Sequence, residues 1–169
     1  MQCYAFQTMA DLYDKVPFSE ALGGATSGNL NPKFDDGKDI YPALISRIDE
    51  AVTRYNNGDP GLDPGSRDLI YGGDMDNWVR FANTLKLKMY LRMHYVSANA
   101  AAVNALIAED HFLTSDAYVD AFGDEQGKRN PYYEIQVKYL GNVNCRASNT
   151  MMKYLVENND PRIDAIYKP

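Results

Sequence analysis

The 169 residues predict a mainly α protein, with tetratricopeptide-like helix pairs in the manner of an α-solenoid and long irregular loops. Three observations carry this. Apolar residues recur at helical spacing in several separate segments. One of these is long and apolar on two sides, as expected of a helix lying between two neighbours. No stretch shows the strict alternation of a half-buried strand.

The first helix is visible at once, in Tyr4, Ala5, Phe6, Met9, Ala10, Leu12 and Tyr13. No Ser, Thr, Asp or Asn precedes it as a cap, so the chain reads as an internal part of something longer. Pro17 marks where this helix must have ended. Residues 18–38 read as a loop because Gly23-Gly24, Gly28-Asn29, Asn31-Pro32 and Asp36-Gly37 are turn signals.

The second helix places Ile40, Leu44, Ile48, Ala51, Val52 and Tyr55 on one face. Asp39 is the expected cap, with Pro42 in the first turn. Asn56-Asn57-Gly58-Asp59-Pro60 ends it, and residues 58–74 form a second long loop.

The long helix is expected from Asp76 to Val96, capped by Asp74 or Asp76. At 100° per residue, Trp78, Phe81, Ala82, Leu85, Met89, Met93 and Val96 lie within about 60° of one direction. Leu87 and Leu91 form a narrower stripe opposite. Arg92 intrudes on the main stripe; such a side chain snorkels or meets a carboxylate.

Asn99 breaks or recaps the chain before a short helix, Ala100 to Ala108, that carries Val103, Leu106 and Ile107. Residues 110–146 form the third long loop, with short extended pieces near Tyr132–Tyr139. Ser148-Asn149 caps a last helix with Met152, Leu155 and Val156, which Asn158-Asn159-Asp160-Pro161 stops. Loops this long are commonly functional or belong to a larger context. No strict 34-residue period appears, so the standard tetratricopeptide consensus is not met.

Charge and composition exclude several functions. A net charge of −6 repels a phosphate backbone and argues against nucleic-acid binding. No run of about 18 apolar residues offers a spanning helix. Cys3 and Cys145 do not make a disulfide framework, and nothing signal-like precedes Cys3. Their redox state is open.

Catalytic signatures are missing too. His94 and His111 stand on different elements with no metal-ligand spacing. No nucleophile elbow or phosphate-binding glycine loop occurs. The acidic stretch Asp59–Asp68 lacks the order of a calcium loop. Among 23 carboxylates some pair must lie close by chance, so acidic residues alone do not argue for a glycosidase. The reading is therefore no enzyme, no cofactor and no metal site.

What remains is aromatic. The chain has 13 Tyr, and Tyr joins a flat apolar face to a polar tip. Tyr132 and Tyr133 follow Asn130-Pro131 in a loop, where adjacent rings can stack on a sugar or plug the loop into the core. They are the candidate ligand-binding residues. Trp78, on the main stripe, is expected in the core.

Several segments together resemble one family. They are Asp11 to Leu22 (DLYDKVPFSEAL), Asn31-Pro32-Lys33-Phe34-Asp35, Ile40-Tyr41 through Ile48-Asp49-Glu50-Ala51, Ile70-Tyr71-Gly72-Gly73-Asp74-Met75 through Trp78, Phe81 to Leu87 (FANTLKL), and Asn159-Asp160-Pro161-Arg162. This pattern resembles the SusD/RagB family of outer-membrane nutrient-binding lipoproteins of Bacteroidetes, in its SusD-like branch. The resemblance implies helix pairs and a non-catalytic surface protein. Such a protein captures a glycan or peptide and delivers it to a SusC-like TonB-dependent transporter. It also implies that this chain matches an internal section, so that membrane attachment comes only through a lipid anchor missing from this chain. The alternative is a helix-pair scaffold for protein–protein interaction.

Overall fold

A computed structural model describes residues 1–59, 61–141 and 146–167. The chain divides into two compact units, residues 1–119 and 120–169.

In the first unit, α1 (Gln2–Tyr13) is followed by a two-residue strand β1 (Val16–Pro17), a single helical turn α2 (Gly24–Ser27) and β2 (Phe34–Asp35). The helices α3 (Gly37–Asn56), α4 (Met75–Arg92) and α5 (Ala100–Glu109) follow, with a 3-10 turn at Gly65–Arg67. Consecutive long helices pack on each other, α1 on α3, α3 on α4 and α4 on α5. This is the helix-pair stacking the sequence predicts.

The core is built from part of the predicted faces; Leu12 and Tyr13 of the predicted α1 face are exposed. Ile40, Leu44 and Ile48 of α3 are buried, and Tyr41 and Ile45 widen that face. Phe6 and Ala10 of α1, Val16, Phe18, and Leu85 and Met89 of α4 complete it. Phe6 and Phe18 meet edge to face with centroids 5.0 Å apart, the arrangement ring quadrupoles favour. The Arg47 guanidinium lies 4.5 Å from the Phe18 ring centre on the cluster's edge.

The loop after β1 is closed by carboxylates. Val16 pairs with Asp35 and Pro17 with Phe34 in antiparallel register. Asp35 accepts from the N–H groups of Phe18 at 3.1 Å and Ser19 at 2.7 Å. Glu20 accepts from Lys33 N–H at 3.1 Å and from the Asn29 amide at 2.9 Å. Two acidic side chains thus turn residues 18–35 into a defined excursion.

Several boundaries differ from expectation. The α3 helix starts at Gly37 with Asp36 before it, so Asp39 lies in the first turn rather than at the cap. Pro42 is then interior, and its missing N–H leaves the Lys38 carbonyl without its helical donor. At α4, Asp74 is the cap, accepting from Asp76 and Asn77 N–H. That helix ends at Arg92, not Val96. Turns follow, and Val96 is 83% exposed. The apolar periodicity runs past the helix end because Met93 still packs against the core.

The second stripe of α4 is only half covered, with Leu87 partly buried and Leu91 exposed. Arg92 meets a carboxylate: its guanidinium lies 2.9 Å from Asp11. In α5, Asn99 caps by accepting from Ala102 N–H at 3.0 Å. Leu106 is buried there, whereas Ile107 faces outward.

Residues 111–113 run as a strap along α4. Asn83, itself buried, donates to the His111 carbonyl at 3.2 Å. Arg80 donates to the Phe112 carbonyl at 3.3 Å, and Leu113 N–H donates to Thr84 Oγ1 at 3.0 Å. His111 Nε2 stands 3.0 Å from an Asp76 oxygen, which gives this histidine a structural partner.

The second unit holds one helical turn α6 (Pro131–Tyr133) running into π-helical turns over Glu134–Tyr139, then α7 (Asn149–Glu157) and α8 (Ile163–Ile166). The extended pieces expected near Tyr132–Tyr139 are therefore helical. Leu155 of α7 is fully buried. Cys3 is a half-buried free thiol, and burial pushes its pKa up. Cys145 lies outside the described residues.

Candidate functional site

The Tyr132–Tyr133 pair is positioned by its own lead-in. The Asn130 side-chain oxygen accepts from Tyr132 N–H at 2.9 Å and Tyr133 N–H at 3.3 Å. Pro131 fills the first helical position, where a missing N–H costs nothing. The turn that results leaves Tyr132 68% exposed and Tyr133 38% exposed.

Charged neighbours fix the surroundings. Arg129 donates through one guanidinium nitrogen to Glu134 at 2.9 Å and through Nε to the Asp124 carbonyl at 2.6 Å. Glu134 foremost, then Asp124, raises the Arg129 pKa further. The arginine thereby ties the Gly123–Lys128 turn to the start of the π-helical segment. That turn is closed by Gly123 N–H donating to the Lys128 carbonyl at 2.9 Å. Lys138 Nζ lies 5.5 Å from the Tyr133 ring centre, within cation–π range. The result is an exposed aromatic surface with a cation on one ring and a braced backbone beneath. Phe122, Tyr139 and Tyr154 of the same unit are also exposed. Such rings can stack on a sugar face or a peptide side chain and offer phenolic hydroxyls at the edge. The sequence did not single out Arg129 and Lys138. The available signal was Asn130-Pro131, an N-cap followed by an N1 proline, which marks a helix start rather than a loop.

The second built feature is the turn leading into α4. The Asp68 carboxylate collects four N–H donors. Oδ1 takes Ile70 and Tyr71 at 3.0 and 3.2 Å, and Oδ2 takes Gly73 at 3.0 Å and the Trp78 indole at 2.7 Å. Burial alone would push the Asp68 pKa up; the hydrogen bonds from Trp78, Ile70, Gly73 and Tyr71 outweigh it and hold the pKa below the usual range. Gly72 and Gly73 have φ of 62° and 93°, the left-handed region. A Cβ on Gly73 would come within 3.1 Å of Asp63 and 3.3 Å of the Gly65 backbone. Trp78 is half-buried in edge contact with Tyr71 and Phe81, at 5.1 and 5.5 Å. The Ile70–Asp74 segment is therefore scaffold: a carboxylate-centred turn that sets the start of the long helix.

No group of three or more His, Cys, Asp or Glu among the described residues could hold a metal ion. No described helix is long and apolar enough to cross a membrane.

The stacked helices of residues 1–119 define a helix-pair protein, and comparison with known proteins gives its family. The chain belongs to the SusD-like family described as starch-binding and associating with the outer membrane, whose model matches residues 1–169. A SusD/RagB family protein from Bacteroides thetaiotaomicron is 27% identical over 95% of this chain and 32% of its own, with a TM-score of 0.70. A chitin-binding protein is 27% identical over 99% of this chain and 34% of its own, with a TM-score of 0.63. A chitin-binding SusD homologue from Flavobacterium johnsoniae is 25% identical over 92% of this chain and 32% of its own, with a TM-score of 0.55. The chain thus spans about a third of the length of these solved relatives. No curated protein matches it.

Proposed function

We propose that this chain is the scaffold section of a non-catalytic nutrient-binding protein of the outer-membrane surface. The protein captures a glycan or peptide and delivers it to a SusC-like TonB-dependent transporter. The observation that carries this is family membership over the whole chain, joined to structural relatives that bind chitin. Tyr132 and Tyr133 are the ligand-contacting residues on this section, supported by their exposure and by the cation beside Tyr133. Outer-membrane association of the family supports a place at the membrane surface, with a lipid anchor as the means of attachment.

Isothermal titration against a polysaccharide and peptide panel tests the ligand. A Tyr132→Ala change should weaken binding about tenfold, or about 1.4 kcal/mol, and leave the melting temperature unchanged. No binding to any member of the panel, together with no co-purification of a SusC-like partner, refutes the proposal.

A further inference from the structure

We propose that a cleft between α1, α3 and the C-terminal end of α4 binds a neutral sugar of one or two rings. The cleft measures about 750 Å³, within the range of small-molecule sites. It lies wholly in residues 1–119, so the inference is independent of the Tyr132 reading.

The lining has two characters. Tyr41, Ile45, Tyr90 and Met93 supply apolar surface, while Asp11 and Arg92 supply opposite charges beside it. The polar pair is held without any ligand. One Asp11 oxygen accepts from the Tyr41 hydroxyl; the other accepts from Gln7 and lies 2.9 Å from the Arg92 guanidinium. Gln7 is completely buried and is braced by Lys88 Nζ at 2.9 Å. A site whose polar groups are already fixed loses little further freedom on binding. Arg92 is half-exposed, and its planar fork carries five N–H donors, more than its contact with Asp11 can use.

This lining selects a ligand class. A pyranose ring has C–H faces for Tyr and Met surface, and hydroxyls that donate to a carboxylate and accept from a guanidinium at once. Asp14 and Lys38 also line the cleft, so its formal charges, two negative and two positive, cancel. An anionic ligand would compete with Asp11 for Arg92, and a cationic one would compete with Arg92 for Asp11. A neutral polyol can bond to both and leave the pair intact.

Methyl NMR of the 169-residue chain provides the test. Cellobiose and N,N′-diacetylchitobiose are the probes, with glucuronate and an end-capped dialanine as comparisons. We expect saturable shifts at the Ile45 and Met93 methyls with at least one of the two sugars. Arg92→Gln, and Ser97→Trp at the exposed mouth, should each weaken that binding about tenfold or more. Ser97 is outside the polar network, so its variant decides the matter if Arg92→Gln disturbs the fold. Unmoved methyls with both sugars overturn the inference. So does equal or tighter binding of glucuronate or the capped peptide, or binding indifferent to Ser97→Trp. Tyr132→Ala separates the two sites: it should leave the Ile45 and Met93 shifts unchanged. Sugar-induced shifts confined to residues near Tyr132 would refute this cleft while supporting the aromatic surface.

Discussion

Replacing Asp68 with asparagine keeps the shape of the side chain but removes one acceptor oxygen and the charge. In the native turn each oxygen serves two donors. Asparagine can serve one pair; its amide NH2 would face the other. Hydrogen bonds to a charged acceptor contribute about 1.5 kcal/mol each, so two lost bonds cost about 3 kcal/mol. Asp68 is partly reachable by water, which lowers the cost to about 2 kcal/mol. For a unit of this size that corresponds to a fall of about 8 °C in Tm. Thermal unfolding by circular dichroism measures it. The single Trp of the chain is the indole bonded to Asp68, so its fluorescence reports the same site. The pH dependence adds a signed check. A depressed carboxylate pKa contributes stability that is fully present above the unfolded value of about 3.9 and is lost as pH falls through the folded value. The gap between native protein and Asp68→Asn should therefore be constant from pH 5 to 8 and close below about pH 4. A Tm change under about 2 °C, or a gap that does not close in acid, would refute the assignment of Asp68 as organiser of the turn.

Three further outcomes follow from the same structure. Leu44 is fully buried between α1 and α4 partners, so Leu44→Ala should cost about 2–5 kcal/mol in urea unfolding. Gly73→Ala places a Cβ at φ 93° against Asp63 and Gly65 and should destabilise by at least about 1 kcal/mol, seen as a lower Tm. Burial, then the hydrogen bond to Asp11, pushes the Tyr41 phenol up to about 12. Its ring carbon signals should stay protonated at pH 11, where exposed tyrosines with pKa near 10 have ionised. The stability tied to that proton is present below about pH 10 and lost as pH rises toward 12.

The sequence showed what is local and periodic. The Ile40, Leu44 and Ile48 face of α3 is the buried face, and Asp74 caps α4 as a side chain of that type should. Periodicity failed where packing continues without helix: Met93 still touches the core after the α4 ladder has stopped. It failed again at Tyr132–Tyr139, where aromatic and branched residues suggest extended chain but Asn130-Pro131 starts a helical turn. The cleft network was hidden for another reason. Gln7 and Asp11 reach Tyr41, Lys88 and Arg92 across long separations in the chain. A glutamine within an apolar stripe gives no hint that it will be buried. The exposure of Tyr132 was equally undetermined, since two adjacent rings on a turn can point either way until the cap fixes them.

The central claim is binding without turnover. Its most direct measurement is equilibrium binding of a chitin oligosaccharide, followed by analysis of the recovered ligand after prolonged incubation. The account predicts saturable binding that Tyr132→Ala weakens, with the oligosaccharide recovered at its original length. Shortened products, or an oligosaccharide and a peptide panel that all fail to bind, would contradict it.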